Sequence, residues 1–201
     1  NISKPLWDWV YDWVGDVKDL HYLQRLYGGE VAYLDFFLGE LFNDLKSRNI
    51  WDNTIICITA DHGEALGEHD VFFNHYSLYS TTIDVPLIIK QATETNQNMV
   101  LDRAVSTLDI APTMLSESNL GIPDQFEGRR IEFAVQPEDH WSDRYLFCEE
   151  SHLHGITIIQ NQWKYYENMR EKSQFLFDLD KCPTEDFNLI EAEPSVRDKL
   201  K

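Results

Sequence analysis

The densest concentration of chemically capable side chains lies in residues 59–79, Thr-Ala-Asp-His-Gly-Glu-Ala-Leu-Gly-Glu-His-Asp-Val-Phe-Phe-Asn-His-Tyr-Ser-Leu-Tyr. Three of the chain's seven histidines, His62, His69 and His75, fall within fourteen positions, with Asp61, Glu64, Glu68 and Asp70 among them. Asp61 and His62 are adjacent, and such a pair offers one hard oxygen and one borderline nitrogen to a divalent cation. Gly63 follows, where a glycine relaxes the backbone so that both side chains can converge. The plainer reading of the same residues is a polar loop at a strand end whose histidines are hydrogen-bonded and nothing more.

The elements that must position these residues are legible on either side. From residue 19 to about residue 46, apolar side chains recur at helical spacing: Leu23, Leu26, Tyr27, Val31, Leu34, Leu38, Leu41, Phe42 and Leu45. A long amphipathic helix is expected, bent near Gly28-Gly29, ended by Asn49 and followed by a turn at Asp52-Asn53. Residues 54–59, Thr-Ile-Ile-Cys-Ile-Thr, form a β-branched run without polar alternation, the pattern of a central parallel strand buried on both faces. A helix feeding such a strand is α/β organisation, and open α/β sheets collect ligands just beyond the carboxyl ends of their strands. That position holds Ala60-Asp61-His62-Gly63-Glu64.

A second buried run, residues 85–89 (Val-Pro-Leu-Ile-Ile), reads as another strand, and the polar residues 91–98 as a surface loop. Residues 109–115 open a helix that Asp109 can cap, with Pro112 tolerated in its first turn. Loop signals (Gly121, Pro123, Gly128, Pro137) occupy residues 120–142. Shorter β-like runs follow at 145–148, 155–159, 164–166 and 175–177, with Asn161-Gln162 as a tight turn. The tail thus reads as a small antiparallel subdomain.

Composition narrows the classes. The 201 residues carry 17 Lys+Arg against 35 Asp+Glu, a net charge of −18, which repels phosphate backbones and argues against nucleic acid as a partner. Three scattered cysteines (Cys57, Cys148, Cys182) make neither a disulfide framework nor a metal knuckle. No apolar stretch approaches the roughly 18 residues of a membrane span. The tryptophan-rich residues 1–16 read as a loop or short helix laid over a core.

The order of motifs is similar to that of a known family. An apolar strand ending in Thr59-Ala60-Asp61-His62-Gly63-Glu64, then Leu66-Gly67-Glu68-His69, then His75 before Tyr76, then Val85-Pro86-Leu87-Ile88, resembles the sulfatase branch of the alkaline phosphatase superfamily. Tyr27-Gly28-Gly29-Glu30-Val31 with Tyr33, Asp35 and Gly39 looks like the family's long helix before that strand. Leu108-Asp109-Ile110-Ala111-Pro112-Thr113, Gly121-Ile122-Pro123 and Gly128-Arg129 are similar to the segment after it. Trp163-Lys164-Tyr165 and Phe177-Asp178-Leu179-Asp180, with Pro183, Glu185, Asn188 and Leu189, match its C-terminal subdomain.

The resemblance implies an α/β fold: an alkaline-phosphatase-like sheet with flanking helices plus a small C-terminal antiparallel β subdomain. Residues 1–142 would be the C-terminal part of the α/β domain and residues 143–201 the subdomain. It implies that Asp61 and His62 are metal ligands, that His75 contacts the oxygens of a sulfate or phosphate, and that Glu64 and His69 are catalytic or merely support the loop. The implied cofactor is one divalent metal, calcium first, with manganese or zinc as alternatives. The implied substrate is a small-molecule or carbohydrate sulfate ester; a second copy of the chain is a further candidate partner. Phosphodiester or phosphonate monoester hydrolysis, and a non-catalytic remnant, are the alternatives. The two-zinc members' Asp-x-x-x-His pair is absent, since Val17 stands four residues ahead of His21, the only histidine before His62. The family's C/S-x-P-x-R nucleophile motif, whose Cys becomes formylglycine, is also absent, so the chain is expected to be a C-terminal portion without the N-terminal half.

Overall fold

The computed structural model describes residues 20–92, 99–101, 104–133, 144–151 and 154–201. Residues 1–16, most of the 91–98 loop and the expected boundary at residue 142 lie outside the described residues. The chain divides into two compact units, one ending at Ile50 and one beginning at Trp51.

The first unit is helix α1, Leu20–Ser47. It is assigned as one helix through Gly28-Gly29, and nothing lies within 4 Å of the place a Cβ would take at either glycine. Asn49 ends it at φ 55°, as the sequence suggested. Its N–H donates to Lys46 O and that of Ile50 to Leu45 O, the paired bonds of a Schellman stop. Apolar side chains stand exposed along this helix, among them Val31, Leu34, Phe37 and Leu41.

In the second unit, strand β1 (Ile56–Thr59) pairs with β4 (Leu87–Lys90) in the register Ile56↔Lys90 to Thr59↔Leu87. The pairing is antiparallel and the strand is only half-buried, which corrects the expectation of a parallel strand covered on both faces. Between them lie β2 (Ala65–Leu66), β3 (Phe72–Asn74) and the single-turn helix α2 (Ser80–Ile83). Helix α3 (Ile110–Glu117) follows a short 3₁₀ turn at Thr107–Asp109 and ends in the same stop as α1, with Asn119 at φ 56°.

The tail is the expected antiparallel meander: β5 (Leu146–Glu150), β6 (Gly155–Gln160), β7 (Trp163–Asn168) and β8 (Ser173–Asp178), in that order. The two-residue turn between β6 and β7 carries Asn161 at φ 53°. Because side chains alternate along a strand, β7 sends Tyr166 to one face and Tyr165 to the other. Tyr166 packs with Leu78 and Phe177, against Tyr79 and Ile83. Tyr165 packs with Leu176 and Leu200, the last from the terminal helix α4 (Pro194–Leu200). One face of the meander therefore grips the segment just after His75. No helix among the described residues is long and apolar enough to cross a membrane.

Candidate functional site

Two short pieces of chain carry the site: the loop that leaves β1 and the β2–β3 hairpin. The hairpin register pairs Ala65 with Asn74, so Glu64, just before β2, comes opposite His75, just after β3. Phe73 is the extra residue of a β-bulge, at φ 48°, between the pairs Ala65↔Asn74 and Leu66↔Phe72. Bulges re-aim the chain at strand ends, and this one turns it immediately before His75. Asn74 then accepts the Tyr76 N–H through its side chain at 2.6 Å, closing a turn around His75.

The imidazole of His75 lies on that of His62, ring centres 3.9 Å apart and planes 25° from parallel. Its Nδ1–H donates to Glu64 Oε2 at 3.3 Å. His62 Nδ1–H donates to the carbonyl of Gly63 at 2.8 Å, which leaves Nε2 as its free nitrogen. Asp61 Oδ2 stands 3.7 Å from that nitrogen, while Asp61 Oδ1 accepts the His62 backbone N–H. Two ligand bonds of about 2.0–2.2 Å to one ion place their donor atoms about 3–4 Å apart, so Asp61 and His62 are spaced to share a cation. His62, Glu64 and His75 can also bring one ligand atom each within 4.8 Å of one another. The side chain of Asp61 is 89% exposed, open to ligands supplied from outside the loop.

Gly63 acts differently from the expectation. Its φ is not in the left-handed region; what it supplies is room. A Cβ there would stand 2.2 Å from the carbonyl oxygen of Thr81, and the Gly63 N–H donates to Thr82 O at 2.8 Å. The backbone between His62 and Glu64 is thus pressed onto α2.

His69 joins a different contact. It sits at φ 53° and its ring stacks on Tyr79 at 3.8 Å, so it belongs with the aromatic core that grips α2 and not with the His62–His75 pair. Burial, reinforced by Glu185 and Glu171, pushes the Tyr79 hydroxyl above its ordinary range. Asp109 does not cap α3 through its side chain. Fully buried, it accepts the N–H groups of Ser106 and Arg129 and a two-pronged ion pair from Arg144. The sequence reading missed Arg144 as its partner, and no local signal marks a pairing across 35 positions.

Residues 13–119 match the Sulfatase family and residues 67–201 the family described as N-sulphoglucosamine sulphohydrolase, C-terminal. The chain is 28% identical over 193 residues to arylsulfatase K of Canis lupus familiaris, covering 89% of this chain and 36% of that protein. It is 31% identical over 124 residues to an ulvan-active sulfatase of Formosa agariphila, covering 61% of this chain and 24% of that protein. In fold it is similar to a phosphonate monoester hydrolase from Silicibacter pomeroyi, with a TM-score of 0.75 at 22% identity, over 90% of this chain and 39% of the other. The chain thus spans about a third of the length of the curated relatives it matches.

Proposed function

The chain belongs to the sulfatase family, and from that premise we propose that the protein of which it forms a part hydrolyses sulfate esters, with a sulfated carbohydrate as substrate. The observation that carries the reading is the convergence of His62, Glu64 and His75 beside Asp61, at the end of a strand, in the family's own motif. A matching relative is named for activity on the polysaccharide ulvan, and the second matching family is named for a sulfated amino sugar, which supports the carbohydrate class.

In this reading Asp61 and His62 hold a divalent cation through Oδ2 and Nε2. The mixed oxygen and nitrogen donors suit manganese or zinc, and also calcium if further oxygen ligands come from beyond these residues. When bound, such a cation supplies positive charge beside the sulfuryl oxygens and polarises them. The carbonyl of Gly63 fixes the His62 ring so that Nε2 faces Asp61, the usual arrangement by which a backbone acceptor orients a ligating imidazole. His75 is anchored to Glu64 through Nδ1–H, and with a proton on each ring nitrogen it would present Nε2–H to a sulfuryl or leaving-group oxygen as charge develops there. The nucleophile, a formylglycine in the family's pattern, would come from outside these 201 residues.

The test is to supply the intact protein with an aryl sulfate, a sulfated glucosamine, a phosphonate monoester and a phosphate diester under identical conditions. The expected result is the highest kcat/KM on a sulfate ester. A higher value on the phosphonate or the diester would move the function to phosphoester chemistry, and no turnover of any of the four would leave the non-catalytic reading.

A further inference from the structure

Lys164 is 0% exposed, and its β7 neighbour Tyr165 is a core residue of the opposite face. A lysine in a short strand usually keeps its ammonium in water, and burying one is costly unless it is paired. Its partner is Glu185, 1% exposed at the side chain, which reaches it from a loop residue held at φ 57°. A non-glycine residue in that conformation is strained, and surrounding structure must hold it there. The second oxygen of the carboxylate, Oε2, accepts the backbone N–H of Ser80 at 2.7 Å, and Lys164 Nζ lies 3.3 Å from Ser80 Oγ.

Ser80 is the first residue of α2, and α2 is the point on which both halves of the site hang. The carbonyl of Thr82 accepts the N–H of Gly63, the residue between His62 and Glu64. The buried hydroxyl of Thr82 is 2.8 Å from Ser77 O and 3.0 Å from Ser77 Oγ, two residues beyond His75. The ion pair is thus hydrogen-bonded to Ser80, and Thr82, two residues further along the same single-turn helix, is hydrogen-bonded to the His62–Glu64 loop and to the His75 turn.

We propose that Lys164 and Glu185 are positioning residues: the C-terminal sheet sets the mutual placement of His62 and His75 by pinning α2 through this buried ion pair. Neither residue needs to touch substrate. The catalytic consequence rests on the reading of His62 and His75 as site residues given above; the placement itself does not.

Ser80 allows a clean test. Its N–H has no acceptor within its own helix turn and serves Glu185, and the preceding Tyr79 has ψ 156°, a conformation that accommodates a following proline. Ser80→Pro removes the link and leaves the ion pair in place. A second variant, Lys164→Met with Glu185→Leu, removes both charges together and avoids leaving one of them buried alone. Both are made in the intact protein. The first readout is the ring-proton NMR signals of His62 and His75, which carry the mutual ring-current displacement of a stacked pair. The second is sulfate-ester turnover.

Both variants are expected to fold, to lose that displacement, and to lower kcat about 10- to 100-fold with KM changed less than about threefold, since a misplacement near 1 Å costs about that much. Glu167→Gln, on the other face of β7, is the control and is expected to leave both readouts unchanged. A folded Ser80→Pro or double variant with wild-type ring signals overturns the proposal, as does wild-type kcat in either. If the wild-type protein turns over no sulfate ester, the functional reading fails, while the ring signals still decide the positioning.

Discussion

Replacing Gly63 by alanine tests the site at its tightest point. The new methyl carbon would stand 2.2 Å from Thr81 O, 3.1 Å from Thr81 C and 3.2 Å from Thr82 Cα. All three are backbone atoms, so no side chain can swing aside. The loop must retreat from α2 by about 1 Å, which breaks the 2.8 Å bond from Gly63 N to Thr82 O. Overpacking of this kind costs about 1–3 kcal/mol and a lost buried hydrogen bond about 0.5–1.5 kcal/mol, so a loss of about 2–4 kcal/mol is expected. The same retreat carries His62 and Glu64 away from His75, and a displacement of that size costs about 100-fold in rate. Urea titration of the intact protein reads the first number, and turnover without urea, at a temperature where the variant is fully folded, reads the second. Gly28→Ala is the matched control, since nothing lies within 4 Å of the place its methyl group would take; there the helix should gain roughly 0.5–1 kcal/mol. A Gly63→Ala variant as stable and as active as wild type would refute the close-approach argument.

Three further outcomes follow from named contacts. His75→Ala should lower kcat on a sulfate ester about 100- to 1,000-fold while leaving the unfolding midpoint nearly unchanged, and unchanged turnover would return His75 to a loop histidine. Burial alone would raise the Asp109 carboxyl, but Arg144 and the N–H groups of Arg129 and Ser106 outweigh it and hold it below the usual carboxylate range. Its contribution is therefore present above the unfolded value of about 3.9 and lost as pH falls through the lower folded value. Asp109→Asn should cost about 3–5 kcal/mol at neutral pH, by removing the carboxylate from its two-pronged ion pair with Arg144, and flatten the acid limb of the stability curve; an unchanged acid limb counts against it. The 201-residue chain expressed alone should show no sulfatase turnover and should self-associate through the exposed Val31, Leu34, Phe37 and Leu41 of α1, as sedimentation would reveal; monomeric, active material would contradict this.

What the sequence discloses here depends on whether the cause is local. The α1 helix is read from apolar spacing and its stop from Asn49, because both signals lie within a few residues of their effects. The tail strands and the Asn161 turn are legible for the same reason. Residues 54–55 look like strand, yet β1 begins at Ile56, and the Thr54 carbonyl accepts from the ammonium of Lys90, a contact across 36 positions that no local pattern shows. Val85-Pro86 looks like strand too, but Pro86 has no N–H for a ladder and β4 begins at Leu87. The β2–β3 hairpin is too short and too bulged to show a period, so the device that brings Glu64 to His75 is invisible until the register is known. The burial of Lys164 is hidden for a related reason: its partner Glu185 lies in a loop that only the folded chain brings over β7.

The proposed role of Asp61 and His62 as ligands of one divalent cation in a sulfate-ester hydrolase can be measured at the site itself. Its most direct test is calorimetric titration of calcium, manganese and zinc into the chelator-stripped intact protein, beside the Asp61→Ala/His62→Ala double variant, with sulfate release followed in the same samples. One equivalent bound by the wild type is expected, with binding weakened by more than about 100-fold in the variant and sulfate release only in the metal-loaded wild type. Equal stoichiometry and affinity in the two proteins, or undiminished sulfate release by the variant, would contradict it.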